Sequence, residues 1–189
     1  HYGVQAYGIT LSQPQAELAQ QRIQEAGLAH LCRVEVRDYR DMQETDAYDK
    51  IVSVGMFEHV GEALLPAYFR QAWQLLRPGG VFLNHGIASV MTNPPQRESA
   101  FNQRYVFPDG ALVPISTTLR VAEASGFEVR DVESLREHYA LTLRHWVRRL
   151  ESRADEARRS TSEVTYRIWR LYMSGSIHAF QTGTANIYQ

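Results

Sequence analysis

Apolar residues in the first two-thirds of the chain alternate between short runs and longer stretches with helical spacing. The run from Val4 to Leu11 reads as a buried strand. Ser12 is placed to cap a following helix, with Gln15 at the capping-box position and Pro14 in the first turn. Leu18, Ala19, Ile23 and Ala26 form the apolar stripe of that helix, and Gly27 ends it. Arg33 to Arg37 alternates as a second strand, and Lys50 to Val54 reads as a third, apolar one. Leu64, Leu65, Tyr68, Phe69, Ala72, Trp73 and Leu76 recur at helical spacing until Arg77-Pro78-Gly79-Gly80 stops the helix. Val81 to Leu83 then reads as a fourth strand. Repeated strand–helix–strand units predict an α/β fold, a mostly parallel Rossmann-like sheet with helices on both faces.

The pattern changes after that strand. Residues 88–114 are an irregular excursion rich in Asn and Pro, and so long a loop inside a compact domain is functional or mobile. A helix over 116–124 and a strand over 127–132 restore the alternation. Residues 139–180 read as mostly helical, and 185–188 as a final strand.

Composition narrows the classes. The 189 residues suit one domain, and a hydrophobic content of 44% with 22% charged residues is ordinary for a globular fold. A net charge of -1 argues against nucleic acid as a partner. Cys32 is the single cysteine, so no internal disulfide forms, and a reduced cytoplasmic setting is the expectation. No apolar run approaches the roughly 20 residues of a membrane span.

Open α/β sheets bind ligands beyond the carboxyl ends of their strands. Thr10 to Gln15, Asp38-Tyr39, Gly55 to Glu58 and His85 to Ile87 all fall there. Asp38 either accepts from an exocyclic amine such as adenine N6 or caps the next turn. Thr10 and Gln15 either bind ribose hydroxyls or belong to the helix cap. Glu58 ends an apolar strand, where a buried carboxyl needs a partner; the competing reading is a first-turn Glu favoured by the helix dipole. His85 is open between a site residue and a satisfied structural one. Glu58, His59 and His85 lack the spacing of a metal site, so no metal is expected. No Ser–His–Asp pattern, P-loop or GxGxxG appears.

Several strings carry a family resemblance: Gly8-Ile9-Thr10-Leu11-Ser12-Gln13-Pro14-Gln15, Arg37-Asp38-Tyr39-Arg40-Asp41, and Ser53-Val54-Gly55-Met56-Phe57-Glu58-His59-Val60-Gly61. So do Leu76-Arg77-Pro78-Gly79-Gly80, His85-Gly86-Ile87, Tyr105-Val106-Phe107-Pro108-Asp109-Gly110 and Glu137-His138-Tyr139-Ala140-Leu141-Thr142-Leu143. Together they resemble cyclopropane fatty-acid synthases and mycolic-acid cyclopropane synthases, along essentially the whole chain. The resemblance implies a class I methyltransferase fold. It implies one partial catalytic domain over 1–189, with a helical insertion near its C-terminus, that starts after the family's first strand and glycine-rich loop. Weak folding or weak cofactor binding of the isolated chain is the matching expectation.

The resemblance also implies roles. Thr10, Leu11 and Gln15 would hold the ribose of S-adenosylmethionine and atoms near it. Asp38 and Tyr39 would hold adenine, and Val54 and Gly55 would pass the methionine part. Glu58, His85, Ile87 (through its backbone N–H) and Tyr139 match positions that hold a bicarbonate ion. The implied reaction builds a cyclopropane ring on unsaturated phospholipid acyl chains. Rival outcomes are a methyl-branched lipid, a methylated small amine, or an inactive fragment or binding domain. Phe57, Phe82, Phe101, Tyr105 and Phe107 line an acyl channel or fill the core. Arg144, Arg148 and Arg149 flank Trp146 on a helix, either as a face for anionic headgroups or as a solvated one. Peripheral contact at the inner membrane face and a homo-oligomer are both compatible with this picture.

Overall fold

The computed structural model describes residues 2–90, 99–108 and 110–189. The chain divides into two compact units, His1–Thr45 and Asp46–Gln189.

The first unit is a β–α–β motif. Strand β1 (Ala6–Thr10) pairs in parallel with β2 (Cys32–Val36), and helix α1 (Gln13–Glu25) joins them. Ser12 caps α1 by accepting the Gln15 N–H at 3.4 Å, with Pro14 in the first turn, as the sequence predicts. The other half of the expected capping box does not form. The Gln15 side chain turns to Thr10, whose hydroxyl donates to Gln15 Oε1 at 2.8 Å. The stripe is also offset: Ala16 is the buried residue of α1, and Leu18 is largely exposed.

The second unit holds the sheet β3–β4–β5, its first pair parallel and its second antiparallel. Its elements are β3 (Tyr48–Val54), α2 (Leu65–Leu75), β4 (Leu76–Ser89), α3 (Ala100–Tyr105), α4 (Ile115–Ala124), α5 (Arg136–Ser152), α6 (Ala154–Ser160), α7 (Glu163–Thr182) and β5 (Ala185–Tyr188). Strand β4 starts earlier than the Pro-Gly-Gly signal suggests. Tyr48 pairs with Leu76, the register then shifts, and Lys50 pairs with Val81. That irregularity accommodates Pro78, which has no N–H to give a ladder. Helix α3 falls inside the expected irregular excursion, whose residues 91–98 and Asp109 lie outside the described residues.

The strand expected over 127–132 does not form. Glu128 and Arg130 pair with each other on the surface at 3.3 Å, and the Phe127 ring packs inward on Phe69, Trp73 and Phe82. Backbone pairing starts only at Glu133, which exchanges two hydrogen bonds with Gln189, and continues at Leu135, which donates to Ile187.

Two apolar groups hold the second unit. On α2, Leu65, Tyr68, Phe69, Ala72 and Leu75 are buried, as the helical repeat requires. Leu65 is fully enclosed, so its truncation to Ala should cost about 2–5 kcal/mol. The other group joins α5, α7 and β5 through Ala140, Leu143, Met173, Phe180 and Ile187. Strand β3, although apolar, leaves Val52 and Val54 exposed. The strands are mostly parallel and flanked by helices, a mixed α/β fold of Rossmann-like class.

Candidate functional site

The second unit gathers a polar site around Glu58. Strand β3 is followed by Gly55, whose φ of +66° suits glycine. Its N–H donates to the His85 carbonyl at 2.9 Å, tying the turn to β4. The chain then enters a short 3₁₀ turn, Phe57–His59, in which Phe57 and Glu58 are buried.

Glu58 is only 9% exposed, and its two carboxyl oxygens have different surroundings. Oε1 accepts the backbone N–H of Ile87 at 2.9 Å. Oε2 is buried with no hydrogen-bond partner among the described residues. The Glu58 carbonyl accepts from Ala111 at 2.8 Å, which fixes the backbone as well. His85 follows the same logic. It pairs with Val54 across the β3–β4 ladder, and its Nδ1 is buried without a partner among the described residues. Unpaired buried polar atoms are costly, and each of these, at the end of a strand, suits a ligand or an acid–base role.

Gly86 lets these pieces approach. A Cβ there would lie 2.2 Å from Phe57 Cε1 and 2.8 Å from the Glu58 carboxyl carbon. Only glycine leaves room for the Phe57 ring and the Glu58 carboxyl beside β4.

Tyr139, near the start of α5, belongs to the same neighbourhood. Burial raises its phenol pKa above the usual value, and Tyr172 and the Glu58 carboxylate push it the same way. Its ring packs edge-on against Phe180 at 5.2 Å and Trp146 at 6.1 Å. Tyr172 on α7 is the residue that sequence reasoning missed. Burial and then Glu58 raise its pKa, against a hydrogen bond to Ser176. Trp169 and Tyr172, three residues apart in a helical segment, are the available signal, and helical spacing alone does not separate a site tyrosine from a core one. In the structure Tyr172 stacks on Phe107, which in turn meets His59.

The residues expected to hold cofactor are met as follows. Val54 is exposed at the end of β3, beside Gly55. In the first unit, Leu11 is exposed, and Thr10 and Gln15 bond each other. Asp38 caps the turn Tyr39–Asp41 through the Arg40 N–H, and the Arg40 guanidinium grips both its oxygens at 2.5–3.1 Å. That pairing holds the Asp38 carboxyl below its ordinary pKa, against a smaller opposing effect of burial. Burial raises the Tyr39 phenol. Both readings of Asp38 therefore stay physically open, but its carboxylate must give up Arg40 to take an amine.

The aromatic residues divide. Phe82 belongs to the core with Tyr68, Phe69 and Phe127, and Phe101 stacks with Tyr105 at 5.4 Å. Phe57 and Phe107 lie beside the Glu58 site. Among the described residues no group of three or more His, Cys, Asp or Glu is arranged to hold a metal ion.

Comparison with known proteins gives this arrangement a context. A family model described as mycolic acid cyclopropane synthetase matches residues 1–189. The chain is 44% identical over 191 residues to a probable fatty acid methyltransferase of Pseudomonas putida, covering all of this chain and 48% of that protein. It thus spans about half the length of that relative. Two solved structures also superpose along the whole chain. The cyclopropane synthase MmaA2 of Mycobacterium tuberculosis does so with TM-score 0.91 and 28% identity over 70% of that chain. The mycolic acid cyclopropane synthase CmaA1, complexed with SAH and CTAB, gives 0.90 and 31% over 69% of that chain.

Proposed function

The chain belongs to the mycolic acid cyclopropane synthetase family, and from that premise we propose that its protein transfers a one-carbon unit from S-adenosylmethionine to the double bond of an unsaturated phospholipid acyl chain. The cyclopropane ring is the proposed product. The observation that carries this reading is the divided environment of Glu58: one oxygen pinned by Ile87, the other buried and unpaired beside β4.

S-adenosylmethionine supplies an electrophilic methyl group when bound. Thr10, Leu11 and Gln15 are assigned to its ribose, Asp38 and Tyr39 to adenine, and Val54 and Gly55 to the methionine part. Addition of a methyl group to an alkene leaves a carbocation on the acyl chain, which water would quench. The apolar walls formed by Phe57 and Phe107 suit that demand. Closing the ring requires loss of a proton from the new methyl group, with the C–H electron pair forming the second ring bond. Glu58 Oε2 is the available acceptor, because Oε1 is committed to the Ile87 N–H. Tyr139 and Tyr172, both shifted toward the protonated phenol and both feeling the Glu58 charge, would add aromatic electron density that favours a nearby cation.

The same atoms would hold a bicarbonate ion. Glu58, His85 and the Tyr139 hydroxyl would hold it, and it would supply the proton-accepting oxygen in place of Glu58 Oε2. The unpaired buried atoms of Glu58 and His85 support that fit. Ile87, given to this ion by resemblance, donates to Glu58 instead and is assigned to orienting that carboxyl.

A methyl-branched product is the second reading, favoured by the name of the Pseudomonas putida relative. The test is to incubate the intact protein with S-adenosylmethionine and unsaturated phospholipid vesicles, then analyse the acyl chains by mass spectrometry and proton NMR. A one-carbon gain with upfield ring protons supports cyclopropanation. The same gain without ring signals selects the branched product. Cofactor binding with no change in the lipid overturns both.

A further inference from the structure

Helix α5 carries exposed groups that its packing leaves unused. Its inner stripe, Ala140 and Leu143 with Val147 and Leu150, goes into the core shared with α7 and β5. Around Val147 of that stripe, residues 144–149 read Arg-His-Trp-Val-Arg-Arg, without an acidic residue. Arg144, Arg148 and Arg149 are exposed. Among the described residues none of the three is in an ion pair, whereas Arg158 and Arg167 are held by Glu163. The nearest acid in sequence, Glu151, is taken by Arg170 on α7 at 2.7 Å.

Exposed arginines alone select no partner, but two further observations do. Leu141 and Trp146 are 51% and 42% exposed on the same helix. Leu141, Arg144 and Arg148 follow the i, i+3, i+7 spacing of one helix flank, so an apolar side chain stands directly beside two guanidinium groups. Trp146 lies seven residues beyond Tyr139 on another flank, and its ring touches Tyr139 at 6.1 Å. Tyr139 in turn feels the Glu58 carboxylate. The exposed face is therefore one aromatic contact away from the candidate site.

We infer that the outward face of α5 docks on an anionic lipid bilayer. Arg144, Arg148 and Arg149 meet headgroup phosphates, Leu141 enters the apolar boundary beside them, and Trp146 lies at the edge of the contact. Guanidinium groups bind phosphate oxygens in pairs, and aromatic and aliphatic side chains among basic ones suit a lipid interface. A soluble acidic protein would match the charge but give no use to an exposed leucine and tryptophan. No helix among the described residues is long and apolar enough to cross a membrane, so the contact is at the surface. The inference rests on the acyl-chain reading above, which explains why lipid should be delivered beside Tyr139.

Flotation of the intact protein with vesicles tests it. Phosphatidylcholine alone is compared with phosphatidylcholine mixed with phosphatidylglycerol, at low and high salt. The wild type should partition onto the anionic vesicles and lose that preference in high salt. The triple variant Arg144→Gln, Arg148→Gln, Arg149→Gln should bind about a hundredfold more weakly, the effect of three basic residues at a charged surface. The triple Arg→Lys variant should bind anionic vesicles far better than the Gln variant, which separates charge from misfolding. Equal wild-type binding to both vesicle types, or wild-type binding by the Gln variant, overturns the inference. So does capture by an acidic protein with no vesicle binding. Methyl transfer to detergent-dispersed lipid is read separately. Transfer without vesicle binding overturns the docking face and leaves the enzymatic reading. Anionic vesicle binding without any transfer does the reverse.

Discussion

Replacing Gly86 by alanine puts the packing around Glu58 to a quantitative test. The added Cβ would sit 2.2 and 2.6 Å from two atoms of the Phe57 ring and 2.8 Å from the Glu58 carboxyl carbon. Gly86 does not have positive φ, so the backbone imposes no strain and the whole effect is contact. Phe57 is 2% exposed, which leaves its ring little room to retreat. Overpacking of this kind costs about 1–3 kcal/mol, and the depth of the overlap places Gly86→Ala toward the upper end. The displaced carboxyl should also lose its bond from Ile87. Urea unfolding of Gly86→Ala, Phe57→Leu and the double variant measures the cost and its origin. A smaller residue at 57 should relieve the clash, giving a favourable coupling of about 0.5–3 kcal/mol. Stability of Gly86→Ala within about 0.5 kcal/mol of wild type, or a cost unchanged in the Phe57→Leu background, would refute the packing argument.

Two further predictions concern protons. Tyr139 and Tyr172 have raised pKa values, so both should stay protonated through the usual tyrosine range near pH 10. Their stabilising contribution is complete below the unfolded pKa and is lost as pH rises through the folded one. Ultraviolet difference titration of wild type against Tyr139→Phe should show the missing phenol titrating late; a phenol titrating at or below the ordinary value contradicts its desolvation. Asp38 is shifted the other way by Arg40, so its contribution is present above its unfolded pKa near 3.8 and disappears on acidification. Arg40→Ala should therefore destabilise the fold near neutrality and converge with wild type at low pH, as seen in urea melts at the two pH values. A pH-independent difference would show that the pair does not govern the Asp38 proton.

Much of the fold is legible from local pattern. Strands β1 to β3 and helices α1, α2 and α4 follow from short apolar runs and helical repeats whose packing partners are close in sequence. The failure over 127–132 is instructive, because the alternation of Phe127 and Val129 with Glu128 and Arg130 satisfies a strand template while Phe127 is claimed by α2 and β4. Periodicity cannot see that competition. The chemistry was legible as residue types at strand ends: Tyr139 feels the Glu58 carboxylate, and His85 is buried next to Gly86, which faces Glu58. Their partners were not. The Ile87 N–H reaches Glu58 across 29 residues, and Arg40 takes Asp38 through a side-chain conformation that spacing does not fix. Tyr172 stayed hidden because a tyrosine at helical spacing has the same signature whether it packs a core or faces a site.

The most direct test of the proposed acid–base role compares wild type with Glu58→Gln in S-adenosylmethionine-dependent modification of unsaturated phospholipid, alongside cofactor binding. Glutamine keeps the shape and can still accept from Ile87, but the atom replacing Oε2 cannot take a proton. Turnover should fall by about 10²–10⁴-fold while the cofactor dissociation constant stays near that of wild type. Wild-type turnover by Glu58→Gln would contradict the assignment of Glu58 as the proton-handling centre.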